Sequence, residues 1–274
     1  MSNYTKTALI GHPVSQSKSP LIHSHWMKSH NIAGQYDAID VDPKYLADGI
    51  QKIIDDGYRG FNVTVPHKQA IFEICDDVDE AASIIGAVNT VIIEDGKLYG
   101  TNTDAYGFMQ NIIETTGLPN FELGPCVVLG AGGAARAVVY ALAEKGAKEI
   151  IVANRTFEKA QQICAINDKI MRPIEWDERK DILMNASLLV NTTSLGMIDK
   201  GSLEIDISLL PTNSIVSDIV YVPLMTDLLI HAKERGNPIV TGIGMLLHQA
   251  RLAFEKWHGV LPVVDEELEK IVLR

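Results

Sequence analysis

The sequence is short of cysteine, short of positive charge, and has no long apolar run. Cys75, Cys126 and Cys164 are the only cysteines in 274 residues, odd in number and far apart within apolar stretches. That excludes a disulfide framework and indicates reduced core thiols, as in a cytoplasmic protein. No uninterrupted apolar stretch approaches the roughly 18 residues that a membrane span needs. The first residues carry one early lysine and a short apolar stretch before His12 and Pro13, which is unlike a secretory signal. Lysine and arginine number 24 against 35 acids, a net charge of −11. Such a field repels phosphate backbones and anionic lipid surfaces, so neither nucleic acid nor membrane is expected as a partner. Internal repeats and low-complexity tracts are also missing, which removes solenoids and disordered linkers from consideration.

What is present is a chain with 46% hydrophobic residues, long enough for two compact cores. Short β-rich runs alternate with amphipathic helical patterns, which predicts an α/β protein with mostly parallel sheets. Strands are expected over 7–11, 36–41 and 60–64, separated by a helix that Ser19 caps ahead of Pro20 and by another opening at Pro43. Runs at 89–93 and 98–100 flank Asp95-Gly96, a dipeptide suited to a hairpin turn that interrupts the βα alternation. After a helix over 104–115 and a turn-rich stretch, a second βα series starts with a strand over 126–130 and continues through strands at 149–153, 188–191, 215–220 and 239–240. Helices are expected over 133–145, 224–235 and 245–257.

The second series opens on Gly130-Ala131-Gly132-Gly133-Ala134-Ala135, a G-x-G-x-x-A turn between an apolar strand and a helix. The first glycine permits the tight turn, the second admits a pyrophosphate to the backbone, and Ala135 lets helix and strand approach closely. The helix-start amides attract phosphate. At the next strand end, where an NAD site carries an acid, stand Asn154, Arg155 and Thr156, with Lys159 following. With no carboxylate to repel it, a 2′-phosphate can pair with Arg155 and Lys159, which favours NADP over NAD; the alternative is a solvated strand end.

In the first series, Ser17 and Ser19 sit at a helix start that suits either a plain cap or a small carboxylate. Alternation along 62–65 sends Asn62 and Thr64 to one side, and Lys68 leaves the strand end where open α/β sheets bind ligands, although most lysines are merely solvated. His23, His25 and His30 lie on one helix, but His23 and His25 point apart, so they read as a solvated face and no metal is predicted. His67 is expected to serve local packing or hydrogen bonding.

Taken together, Ser-Lys-Ser-Pro at 17–20, Asn-Val-Thr-Val-Pro-His-Lys at 62–68, Gly-Ala-Val-Asn-Thr at 86–90 and Asn-Thr-Asp at 102–104 resemble the shikimate dehydrogenase family. Asn-Thr-Thr-Ser-Leu-Gly-Met at 191–197 and Gly-Met-Leu-Leu-His-Gln at 244–249 extend that resemblance over nearly the whole chain. It implies NADPH-dependent reduction of 3-dehydroshikimate to shikimate. It also implies a discontinuous substrate domain, 1–104 with 244–274, and a Rossmann-type NADP domain, 105–243, with the active site in the cleft between them. Ser17 and Ser19 would hold the substrate carboxylate with Tyr221 nearby, and Asn62, Thr64, Asn89, Asp104 and Gln249 would contact the ring hydroxyls. Lys68 and Asp104 would form the catalytic pair. Gly130, Ala131, Gly132, Gly133, Ala134, Asn154, Arg155, Thr156, Lys159, Thr192 and Gly242 would bind the cofactor, with Met245 by its nicotinamide.

Charge developing on the carbonyl oxygen during reduction calls for a donor, and an acid beside Lys68 favours its ammonium form, so Lys68 is read as donor and Asp104 as its orienter. Lys159 stands where an arginine often reaches the 2′-phosphate, which weakens the planar, bidentate part of the argument for NADP. A quinate/shikimate dehydrogenase using NAD, and a dinucleotide-binding regulator without turnover, are the alternatives. A small-molecule substrate and a monomeric or homodimeric cytoplasmic protein complete the expectation.

Overall fold

The computed structural model describes residues 4–274. The chain divides into two compact units, one running through Thr103 and resuming at Gln249–Arg274, the other spanning Asp104–His248.

The first unit contains β1 (Thr5–Gly11), α1 (Ser19–Ser29), β2 (Gly34–Asp40), α2 (Leu46–Asp55), β3 (Gly60–Val63), α3 (Lys68–Ile74), β4 (Asp77–Val78), α4 (Glu80–Ile85), β5 (Thr90–Glu94) and β6 (Lys97–Thr101). Its sheet has the order β2-β1-β3-β5-β6-β4. β1 pairs in parallel with β2 and β3, and β5 pairs antiparallel with β3 and β6. Asp95 and Gly96 both take positive φ, 51° and 76°, at the turn between β5 and β6, the conformation a tight hairpin requires. Ala8, Ile10, Phe61, Val63 and Val91 line the core, on which Ile50 and Ile53 of α2 close.

The second unit contains α5 (Asp104–Thr116), β7 (Cys126–Leu129), α6 (Gly133–Glu144), β8 (Ile150–Asn154), α7 (Phe157–Cys164), β9 (Met171–Glu175), β10 (Leu188–Asn191), β11 (Ile215–Asp218), α8 (Asp227–Glu234) and β12 (Ile239–Val240). Its six strands are all parallel in the order β12-β11-β10-β7-β8-β9. This is the doubly wound order, whose direction of winding reverses between β7 and β10, and ligands bind at that reversal. β7, β8 and β10 are buried almost throughout, as strands covered on both faces must be.

Helix α9 (Gly242–His258) begins in the second unit and passes into the first, and α10 (Glu266–Val272) ends the chain. Within the first unit, the Trp257 indole donates to the Val91 carbonyl at 2.9 Å. Gly60 leaves the room, since a Cβ there would fall 2.2 Å from the Trp257 indole nitrogen.

Three readings change. Ser19 is the first helical residue of α1 rather than its cap; Lys18 takes the cap position without a side-chain bond, and Ser17 Oγ accepts the Ser19 amide at 3.2 Å. His23 does not belong to a solvated face. It is 0% exposed and stacked on Tyr36 with ring centroids 4.1 Å apart, and burial pushes its imidazole down to about 3. The long interval before β10 holds α7, β9 and a run of 3-10 turns over Trp176–Asn185, none of them read from the sequence.

Candidate functional site

Chemistry-bearing side chains gather at the ends of strands in both units. In the first, β3 delivers Asn62, 4% exposed, into a buried set of amides and hydroxyls. Asn62 Nδ2 donates to the Asn89 carbonyl at 3.2 Å and to Thr90 Oγ1 at 3.0 Å, while Oδ1 accepts the Tyr36 hydroxyl at 2.7 Å. Because the Asn89 carbonyl can only accept, the orientation of the Asn62 amide is settled. Asn89 Oδ1 accepts the Thr103 amide at 2.8 Å and the Thr90 hydroxyl at 3.0 Å. Its Nδ2 donates to Thr103 Oγ1 at 2.9 Å and to Gln249 Oε1 at 3.4 Å. The structure thus joins Asn62, Asn89 and Gln249, which lie far apart in the sequence. A network whose members satisfy one another holds its side chains in one arrangement.

Lys68 opens α3 and is half-buried; its carbonyl accepts the Val88 amide at 3.0 Å, tying the start of α3 to the 86–90 segment. His67, the cap before it, is 1% exposed and donates Nε2–H to the Val41 carbonyl at 2.7 Å, which fixes its tautomer. Thr64 follows β3 and is half-buried, as is Ser17, while Ser19 is buried. Asp104 belongs to the second unit, where it is 7% exposed at the N-terminal end of α5, an end that favours a carboxylate.

In the second unit the glycine turn follows β7 at the winding reversal. Gly130 has φ 106°, and a Cβ there would stand 2.7 Å from Thr192 Oγ1. Thr192, just beyond β10, donates its hydroxyl to the Leu129 carbonyl at 2.7 Å, so the two strand ends are bolted together. Gly132 and Gly133 differ. Neither has positive φ, both are exposed, and a Cβ at either would meet no protein atom within 4 Å. Nothing in the protein's own packing requires glycine there. Close approach of a ligand to the amides at the start of α6 does, and the group that fits is a dinucleotide pyrophosphate.

Ala131 and Ala134 are partly exposed on the same turn. One strand over, Asn154 ends β8 and donates Nδ2 to the Thr156 carbonyl at 2.8 Å. Arg155, Thr156 and Lys159 are all exposed around the start of α7, which Thr156 caps without a side-chain bond. This exposed cationic and hydroxyl-bearing corner fits a phosphate on the adenosine ribose.

Sequence reasoning missed Asp218. It is 1% exposed at the end of β11, and burial raises its carboxyl above the usual range. Oδ1 accepts Asn191 Nδ2 at 3.0 Å and the Val220 amide at 2.9 Å; Oδ2 accepts the Thr226 hydroxyl at 2.8 Å. One side chain therefore anchors the segments after β10 and β11 and the cap of α8. Tyr221 follows the anchored Val220 in the chain and is half-buried, which raises its phenol. Gly242 lies against the backbone of Ile219 and Val220, where a Cβ would be 2.3 Å from a carbonyl oxygen, and Met245 follows in the first turn of α9.

Comparison with known proteins places the chain in a family. The shikimate dehydrogenase substrate binding domain matches residues 9–91, the shikimate / quinate 5-dehydrogenase domain 115–206, and the shikimate 5′-dehydrogenase C-terminal domain 242–265. The shikimate dehydrogenase (NADP(+)) of Paramagnetospirillum magneticum is 48% identical over 97% of this chain and 96% of that protein. Among solved structures, the Thermus thermophilus shikimate 5-dehydrogenase in complex with NADP(H) and shikimate is 36% identical, with a TM-score of 0.87 and 98% of both chains covered. The Corynebacterium glutamicum quinate dehydrogenase in complex with NAD is 31% identical, with a TM-score of 0.89, over 98% of this chain and 97% of that one. With relatives this similar along almost its entire length, the chain belongs to the shikimate dehydrogenase family.

Proposed function

We propose that this protein catalyses the reversible NADPH-dependent reduction of 3-dehydroshikimate to shikimate, in the biosynthesis of chorismate and the aromatic amino acids. The relationship at 48% identity over 97% of the chain to an NADP(+) shikimate dehydrogenase carries that reading. NADPH supplies the hydride. The turn 130–134 and the amides of α6 bind its pyrophosphate, with Asn154 and Thr192 shaping the pocket. Arg155, Thr156 and Lys159 bind the 2′-phosphate, and Gly242 and Met245 stand at the nicotinamide.

Ser17 and Ser19 hold the substrate carboxylate, with Tyr221 beside it. Asn62, Thr64, Asn89 and Gln249 orient the ring hydroxyls, and the mutual bonds of Asn62, Asn89 and Gln249 support this by fixing their directions before substrate arrives. Lys68 donates a proton to the oxygen that becomes the new hydroxyl, and Asp104 orients both Lys68 and the substrate. The roles fall on residues of both compact units, the first as the substrate domain and the second as the NADP domain. The protein works on a small molecule, as a monomer or homodimer, in the cytoplasm.

Quinate oxidation with NAD is the second reading, because a quinate dehydrogenase shares the fold. Asn154 and Arg155, standing where an NAD site carries an acid, oppose it. The test pairs purified protein with shikimate or quinate and with NADP⁺ or NAD⁺, following absorbance of the reduced cofactor. The proposal requires shikimate with NADP⁺ to be the fastest pair. Preference for quinate with NAD⁺ would overturn it, and saturable NADP⁺ binding without turnover in any pair would indicate a regulator.

A further inference from the structure

We propose that Asn111, in the middle of α5, is a positioning residue for the turn that presents Gly242 and Met245. The inference rests on the reading of that turn as the nicotinamide side of the site. Asn111 is 7% exposed on α5, and its side chain spends both ends on one short segment. Its Nδ2 donates to the Thr241 carbonyl at 2.8 Å. Its Oδ1 occupies the notch that Gly244 leaves, where a Cβ would lie only 2.0 Å away.

The opposite side of the same turn is fixed by Gly242 against the Ile219–Val220 backbone. The segment 241–244 is therefore clamped from two sides, by backbone on one and by a single amide on the other. About one helical turn farther along, His248 Nε2 and Glu114 Oε2 stand 3.3 Å apart, so α5 and α9 meet at a second point, three residues on from Asn111 and four on from Gly244. Asn111 differs from that second point because its contacts reach the turn itself. A polar side chain at a helix–helix contact is read from sequence as an interruption of the apolar face; here it replaces packing with a directional bond. Hydride transfer depends on sub-ångström placement of the reacting atoms, so loosening this turn should slow transfer while leaving the distant phosphate grip intact.

The experiment compares wild type with Asn111→Ala, and with Asn111→Asp, which keeps the shape beside Gly244 but turns a carboxylate oxygen toward the Thr241 carbonyl. Circular dichroism and thermal melting identify which variants are folded at the assay temperature. Each folded variant is measured for kcat, for the NADPH KM, and for its Kd toward 2′,5′-ADP, which carries the phosphate end of the cofactor without the nicotinamide. Expected are a kcat lowered at least fivefold and a raised NADPH KM, with the 2′,5′-ADP Kd within twofold of wild type. Unchanged kcat and KM in both variants would overturn the inference, as would a 2′,5′-ADP affinity that falls in parallel with NADPH, the mark of general damage to the unit. Met245→Ala tests the underlying reading separately: if its kcat and NADPH KM match wild type, the turn is not at the nicotinamide, and the assignment of Asn111 falls with it.

Discussion

Lys68 heads α3, where the 86–90 segment and the buried His67 hold its backbone in place. If it donates the proton during reduction, Lys68→Ala should lower kcat by about 10²- to 10⁴-fold, the usual contribution of general acid catalysis. Steady-state assays would refute the role if turnover survived nearly intact while only the substrate KM rose. Arg155 is exposed, so the proposed pairing with the 2′-phosphate would be worth the lower part of the roughly 1.5–3 kcal/mol typical of charge-assisted bonds. Arg155→Ala should therefore raise the NADPH KM by about tenfold and leave the NADH KM nearly unchanged; an equal rise for both would show that Arg155 does not read the 2′-phosphate. Individual residues divide sharply in how legible they were. Gly130 and Gly132 announce themselves because a turn motif is local. Asp218 does not, since an acid at a strand end looks solvated until the fold brings Asn191 and Thr226 to it.

Among the elements, those with strong apolar periodicity or sharp punctuation, such as β7, α6 and the β5–β6 hairpin, were readable. β9 was not: Pro173 interrupts its sequence, and the strand exists because it sits at the edge of the sheet, where a missing amide is tolerated. α10 was missed despite its signals, an acidic first turn and the Asp265 side chain accepting the Leu268 amide at 2.8 Å. The segments after β10 and β11 have no regular pattern to read, because their shape comes from Asp218. Asp218→Ala removes the acceptor for three donors at once, and burying unsatisfied groups of this kind costs about 1–3 kcal/mol each before relaxation. Its melting temperature should fall by several degrees, and by more than that of an exposed control such as Asp206→Ala; equal melting curves would show that the anchor is not needed.

For the whole molecule, the net charge of −11 is compatible with the anionic ligands of the proposed reaction, since on that reading Lys68, Arg155, Lys159 and helix starts would supply local positive potential. Stability should also depend on pH through His23. Its imidazole is held near 3 against an ordinary 6.5, so the unfolded chain binds a proton that the folded chain refuses, and stability is lost as pH falls below 6.5 toward 3. At pH 5 the loss from this group is roughly 2 kcal/mol. His23→Phe should shrink the drop in melting temperature between pH 7 and pH 5; His258, lowered to about 4, acts in the same direction and keeps the variant from losing it altogether. An unchanged drop would assign the acid sensitivity elsewhere.

The two-part first unit has a consequence for synthesis. Its sheet leaves the ribosome first, yet Trp257, which caps Val91 and fills the space left by Gly60, is made only after all of Asp104–His248. Domains ordinarily fold in the order they emerge. Here the part translated first must wait for the end of the chain, so a fragment of residues 1–103 should fail to fold, and adding residues 249–274 to it through a short linker should restore cooperative melting.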